Sequence, residues 1–297
     1  MDRLQYIIDL YDDADPEVVA AVDRFFLEKG EAAISRLRSV CKEGLDPVRG
    51  AQAGRMLARY NKMLAIRGLK SIAEDAARGE ECPLIEAVYL VCALSDANLS
   101  KEEYMELIMP PVMAVMTEIS DARTAIENVS LLNHVFYHQY GFSVSNPFDM
   151  TLDSTLLMKV LSSRRGSPFA VSLLYFIIAQ TAGLPVYPLC FTGGFVPVCM
   201  EGDSTLFNIN VFHKGEIFIE NNISKMVASQ ASALGVNVDV GEAVVKKDQS
   251  ILVMYLEYLQ MLYSNAGDSV AQMDIEDAVE ALGGKRFLTV ESDEDEW

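Results

Sequence analysis

The segment Phe169–Ala182 constrains this chain more than any other, because it is apolar on nearly every side. Ser167-Pro168 opens it with a capping hydroxyl and a proline suited to the first helical position. Gly183 and Pro185 close it. A helix with no polar face has nothing to present to water, so other elements must enclose it. It is also far shorter than the roughly 20 residues that cross a bilayer. The rest of the chain therefore has to supply the layers that bury it.

The downstream layer reads as β. Val186–Phe191, Phe195–Met200, Thr205–Phe212 and Glu216–Glu220 are short and are separated by glycine pairs or charged turns, which predicts an antiparallel sheet. The upstream layer reads as helix after helix. Asp15-Pro16-Glu17 is a start signal, and Val18, Val22, Phe25 and Phe26 follow at helical spacing. Gly30 ends that helix, and Ala33, Ile34, Leu37 and Val40 begin the next. Asp46-Pro47 repeats the signal ahead of a long stripe from Met56 to Ile72. The order Asp-Pro-Glu-Val followed by Gly-Glu-Ala-Ala-Ile resembles a HEAT-type helical pair.

Pro83 opens a further helix, and Ser100 with Glu103 has the spacing of a capping box. Pro110-Pro111 predicts a kink or interruption in that second helix. A third helix is expected from Asp121 to Tyr140, then a loop over Ser143–Asp153 and a short helix over Ser154–Leu161. After the sheet, helices are expected at Ile223–Leu234, Gln249–Tyr263 and Met273–Leu282, and the acidic tail Glu291–Trp297 is expected to be disordered.

The class is α+β: a helical N-terminal half, a central buried helix against a small antiparallel sheet, and C-terminal helices. Residues 1–80 are expected to form one helical domain. A second spans 81–265, with a helical lead-in (81–163), a core (164–222) and C-terminal helices (223–265). Residues 266–297 carry a terminal helix and the tail.

Charge narrows the partners. With 24 Lys+Arg against 43 Asp+Glu the net charge is −19, which argues against nucleic acid or anionic membrane. The longest apolar run, Ala87–Leu94, is too short for a span, and Met1-Asp2-Arg3-Leu4 lacks the pattern of a signal peptide. Five cysteines, an odd number with no CxxC, fit a reducing compartment. The expectation is a cytoplasmic protein with no metal and no cofactor.

Between about Pro83 and Tyr263 the order of motifs resembles one family. Asn133-His134-Val135-Phe136 precedes Tyr140-Gly141-Phe142; Arg164-Arg165-Gly166-Ser167-Pro168 and Ser172-Leu173-Leu174-Tyr175 follow. Then come Ala182-Gly183-Leu184-Pro185, Gly193-Gly194-Phe195 and Ile209-Asn210-Val211-Phe212 with Gly215. This resembles the SirB-type branch of the transglutaminase-like superfamily, and the resemblance implies a papain/transglutaminase-like core. Catalytic members of that superfamily place a Cys at the start of the buried helix, a His on the next strand and an Asp on the one after. The helix N-terminus and an imidazolium stabilise the thiolate, and the carboxylate orients the imidazole. In this chain those positions fall at Pro168, Gly194 and Asn210. The resemblance thus implies the fold and argues against the ancestral chemistry. What it implies instead is a catalytically inactive protein that binds a protein or peptide partner.

Other residues offer chemistry beside this reading. Arg164 and Arg165, with Ser167, Asn210 and His213, are candidates for binding an anion in the degenerate cleft; ion pairing is the simpler use of the two arginines. Ser167 is a substitute nucleophile or simply the helix cap. Cys190 or Cys199 with His213 would make a relocated nucleophile–base pair, and this hydrolase or acyltransferase is the alternative function; buried strand cysteines are the simpler reading. His134 and His138 share a helical face but lack a third ligand. Met105, Met109, Met113 and Met116 form either a plastic binding face or a core stripe, the latter being the simpler reading.

Overall fold

Local signals account for most of the helices. In a computed structural model of the chain, the structure describes residues 3–11, 13–42, 47–146, 151–191, 194–218, 243–246 and 250–284. The N-terminal part is α1 (Arg3–Asp9), α2 (Pro16–Lys29), α3 (Glu31–Lys42) and α4 (Pro47–Ala77). Asp15 caps α2 by accepting from the Glu17 N–H, and Pro16 takes the first helical position. Gly30, at φ 57°, lets α2 turn directly into α3. These helices bury their own core, in which the rings of Phe26 and Tyr60 stack at 4.2 Å. The long helix α4 runs on from that core into a second one, where Leu69 and Ile72 are buried.

The second core is built from α5 (Leu84–Ser95), α6 (Lys101–Glu118), α7 (Ala125–Asn133), α8 (Leu152–Thr155), α9 (Leu157–Ser163) and α10 (Pro168–Thr181). Strands β3 (Val186–Phe191), β4 (Gly194–Glu201), β5 (Ser204–Asn210), β6 (Glu216–Phe218) and β7 (Val244–Val245) form an antiparallel sheet in the order β6-β5-β4-β3-β7. The apolar helix α10 lies between this sheet and α5, α6 and α9, with residues 170–179 all buried. Helices α11 (Ser250–Ala266) and α12 (Ser269–Ala281) pair with each other, and α12 packs on α4, where Lys62 meets Asp274 and Asp277.

Four local expectations are corrected. Helix α6 is continuous through Pro110 and Pro111. An interior proline costs about 3 kcal/mol; Pro111 instead joins Tyr104, Ile108, Val112 and Val115 in a buried stripe, and each such side chain returns about 1.5–3 kcal/mol on burial. The third helix starts later than Asp121, at a capping box made by Thr124 and Glu127, and ends in a π-helical turn over His134–Gln139. That wider turn lets Val135, Phe136 and Tyr137 all point into the core. The expected loop after Gly141 contains a strand, β1 (Ser143–Val144), paired in parallel with β2 (Arg165–Gly166). The helix expected over Ser154–Leu161 is two, broken at Leu156.

The expected helix Ile223–Leu234, the tail Glu291–Trp297 and the cap Asp46 lie outside the described residues. Among the described residues no helix is long and apolar enough to cross a membrane.

Burial gives the fold an alkaline limit. It pushes the Cys92 thiol up to about 12 and Cys199 up to about 11, and raises the Tyr137 and Tyr175 hydroxyls as well. A folded-state value above the unfolded one means that these groups ionise on unfolding. Their stabilising effect is complete below the ordinary thiol value of about 8.5 and is lost as pH rises through the folded-state values. The urea midpoint is expected to hold between pH 7 and 8 and to fall steadily from pH 9 to 10.5.

Candidate functional site

Pro168, Gly194 and Asn210 gather at one end of the sheet. Gly194 begins β4 and Asn210 ends β5, and the two strands are antiparallel. Pro168 begins α10, whose next residue, Phe169, packs its ring on Phe195 at 5.3 Å. Phe169 also stacks on Tyr258 at 5.3 Å and on Tyr255 at 6.0 Å. Aromatic rings from α10, β4 and α11 thus close over the start of the buried helix. A side chain at Gly194 would meet the Phe191 ring at 3.5 Å, an ordinary contact.

Ser167 is wholly buried and caps α10, its hydroxyl oxygen accepting from the Ala170 N–H at 3.3 Å. The Thr155 hydroxyl donates to it at 3.2 Å, so it faces the interior. Asn210 is buried; its Oδ1 accepts from the Phe212 N–H, and its Nδ2 lies 2.9 Å from His213 Nδ1. An amide nitrogen donates, so that contact makes Nδ1 the acceptor and leaves the proton of a neutral ring on Nε2. His213 is 67 % exposed and stands 3.7 Å from Glu216.

The structure therefore brings Asn210 and His213 together. It does not do so for the cysteines. Cys199 pairs with Val186 at the far end of β3–β4, while Cys190 pairs with Phe195 at the near end. Strand β4 separates Cys190 from the strand leading to His213, a gap of two strand spacings, about 9–10 Å. The Cys190 sulfur instead lies 3.9 Å from the Pro188 carbonyl oxygen.

Arg164 has an unusual setting. It ends α9 in the left-handed region, at φ 62°, a conformation that costs a non-glycine residue about 1 kcal/mol. Its guanidinium lies 4.8 Å from the Phe142 ring and 5.8 Å from the Tyr140 ring, and burial lowers its pKa. Its Nη1 is buried and makes no hydrogen bond among the described residues. Arg165 beside it is exposed.

Residues 103–252, half of the chain, match the family described as the transglutaminase-like superfamily. The chain belongs to the transglutaminase-like superfamily. Within it, the protein YchA of Escherichia coli K12 is 24 % identical over 151 residues, covering 48 % of this chain and 56 % of that protein. The protein SirB1 of Salmonella typhimurium LT2 is 24 % identical over 149 residues, covering 48 % and 55 %. A Pasteurella multocida protein, PM0557, is 31 % identical over 99 residues, 33 % of this chain and 37 % of its own. The chain spans about half the length of the curated relatives it matches. These relatives make it a SirB-type member of the superfamily. No solved structure matches.

In this transglutaminase-like domain, sequence reasoning missed Asn133. Its Nδ2 donates to the Gly215 carbonyl at 2.7 Å, and its Oδ1 accepts from the buried Tyr175 hydroxyl at 2.8 Å. One amide thus ties α7, α10 and the β5–β6 turn together. Gly215 sits at φ 77°, and a Cβ there would lie 1.9 Å from Asn133 Oδ1. The signal was in the sequence, since both residues stand in the motifs quoted for the resemblance, but nothing in the spacing paired them. His134 and His138 are exposed and stack at 5.8 Å, and no group of three metal-binding side chains occurs among the described residues. A cleft of about 790 Å³ opens at the opposite end of α10, between Phe176, Gln180, Tyr187 and the acids Glu80 and Glu81, away from Pro168, Gly194 and Asn210.

Asn133→Ala is expected to destabilise by about 1–3 kcal/mol, because it strands the Tyr175 hydroxyl. Gly215→Ala should cost at least as much. The double variant should lose less than the sum, because both changes break the same contact; urea unfolding of the three variants measures the coupling.

Proposed function

We propose that this protein is a catalytically inactive member of the superfamily that binds a protein or peptide at the degenerate end of α10. The observation that carries the reading is the convergence of Pro168, Gly194 and Asn210 on a point roofed by Phe169, Phe195 and Tyr258. Proline offers no nucleophile and glycine no base, and the Asn210 amide carries no charge. Burial raises the Cys199 thiol, which disfavours the thiolate that thiol chemistry needs. The Ser167 hydroxyl is committed to the helix start. Arg164, Arg165 and His213 are the polar groups offered to a partner's carboxylate.

The test combines acylation with labelling. With p-nitrophenyl acetate the protein is expected to show no one-equivalent burst. Iodoacetamide labelling from pH 5 to 9, resolved by mass spectrometry, should be slower at Cys92 and Cys199 than at a free thiol throughout. A one-equivalent burst abolished by Cys190→Ala, Cys199→Ala or Ser167→Ala would restore the hydrolase or acyltransferase reading. Binding is read separately, from the Arg164 Nε resonance assigned with Arg164→Lys. A hexapeptide with a free C-terminal carboxylate should shift it saturably and the amidated peptide should not; no shift with either counts against binding there.

A further inference from the structure

Helix α6 buries the stripe Tyr104, Ile108, Pro111, Val112 and Val115. Met105, Met109, Met113 and Met116 lie on a different face, centred about 110° around the helix at 3.6 residues per turn. Met105 and Met109 pack against the margin of the core, whereas Met113 and Met116 do not fill it. Met113 is 51 % exposed and Met116 48 %, while Met105 and Met109 are half-buried at the margin. Glu102 and Glu106 are exposed on the same outer arc and enter no ion pair among the described residues. The neighbouring acids are engaged: Glu103 closes the capping box, and Glu86 holds Lys101. On the adjoining helix α7, Ile126 is 47 % exposed.

These features share one chemistry. The face offers flexible, polarisable methionine side chains and two exposed carboxylates that enter no ion pair among the described residues. Methionine ridges adapt to apolar side chains of varied shape, and the acids select for cations beside them. A second copy of this chain is a poor fit, since it carries the same charge of −19. We propose that this face of α6 docks a basic amphipathic helix of a partner protein, its apolar side on Met109, Met113 and Met116 and its Lys or Arg residues on Glu102 and Glu106. The footprint from Glu102 to Met116 is about 21 Å long, some four helical turns of a partner lying along it. This docking does not rest on the absence of catalysis.

The probe is a 14-residue Leu/Lys amphipathic peptide, with its Leu/Glu counterpart as control, added to full-length protein carrying ¹³C-methyl methionine. The Met113 and Met116 methyl signals, assigned by Met→Leu substitution, should shift saturably with the basic peptide and not with the acidic one. The exposed Met261 and Met273 should stay in place. Glu102→Gln with Glu106→Gln should weaken binding about tenfold at low salt, whereas Glu74→Gln with Glu201→Gln should leave it unchanged. The proposal is overturned if the remote pair weakens binding equally, if all exposed methionines shift alike, or if Met113 and Met116 do not respond.

Discussion

Enclosing α10 is the requirement that orders the rest of the second core. A helix buried from Ala170 to Ala179 and starting from the buried cap Ser167 must satisfy the free N–H groups of its first turn largely within the protein. The Ser167 hydroxyl accepts from one of them inside the protein, and the Ser167 N–H donates to the Ser154 carbonyl at 2.6 Å. The chain must therefore pass very close to α8 and α9 on its way in. Gly166 makes that approach feasible: a Cβ there would lie 2.7 Å from Val160 and 2.9 Å from the Ser154 carbonyl oxygen. The β1–β2 pairing then fixes the entry from the other side, Ser143 donating to the Arg164 carbonyl. Each of these contacts follows from the demand that an all-apolar helix begin in the interior.

The same demand holds together the end of the sheet where Pro168, Gly194 and Asn210 gather. Asn133 links the helical layer to the sheet side through Tyr175 and Gly215, and Asn210 folds the strand end back through Phe212, His213 and Gly215. Buried polar links of this kind are costly if half-satisfied, and here both ends of the Asn133 amide are paired. The positions held by Pro168, Gly194 and Asn210 are thereby set by interactions that do not involve catalysis. A fold can keep this frame whatever chemistry its end performs, which is why superfamily membership alone does not decide activity.

Much of the architecture was legible because it rests on short-range signals. The Asp15-Pro16 start, the Ser100–Glu103 box, the apolar helix and the alternation of strands with glycines and charged turns are local rules, and the structure follows them. The misses have equally definite causes. Pro110 and Pro111 broke a propensity rule that burial of the α6 stripe outweighs. Thr124-Ala125-Ile126-Glu127 is itself a capping-box sequence, and that box, not Asp121, sets the helix start. The π-turn at His134–Gln139 and the strand at Ser143–Val144 depend on partners far along the chain, Tyr175 and Arg165 among them, which no local pattern reports. At the site, Ser167, Asn210 and His213 are each legible in the sequence, but the contact between Asn210 and His213 is not. The Asn133–Gly215 link spans 82 positions and emerges only in three dimensions.

Charge is the remaining constraint on what this scaffold meets. Several cations of this acid-rich chain are absorbed internally: Arg38 by Glu31, Arg49 by Asp9, Arg59 by Asp23 and Lys62 by Asp274. The exposed ones among them contribute little to stability, but all remove positive charge from play, so the free charge at the surface is mostly carboxylate. Arg164 is the contrast. Its guanidinium rests on two rings, and ring faces satisfy the charge without accepting the in-plane N–H of Nη1. An acidic body thus carries an aromatic-backed cation, Arg164, near the start of α10 and exposed methionines on α6. On the binding proposed above, the first would take a carboxylate and the second a basic apolar helix. Long-range attraction would bring a basic partner to the second, while a carboxylate must reach the first against the field of the whole chain, so binding there depends on close contacts and on excluding water.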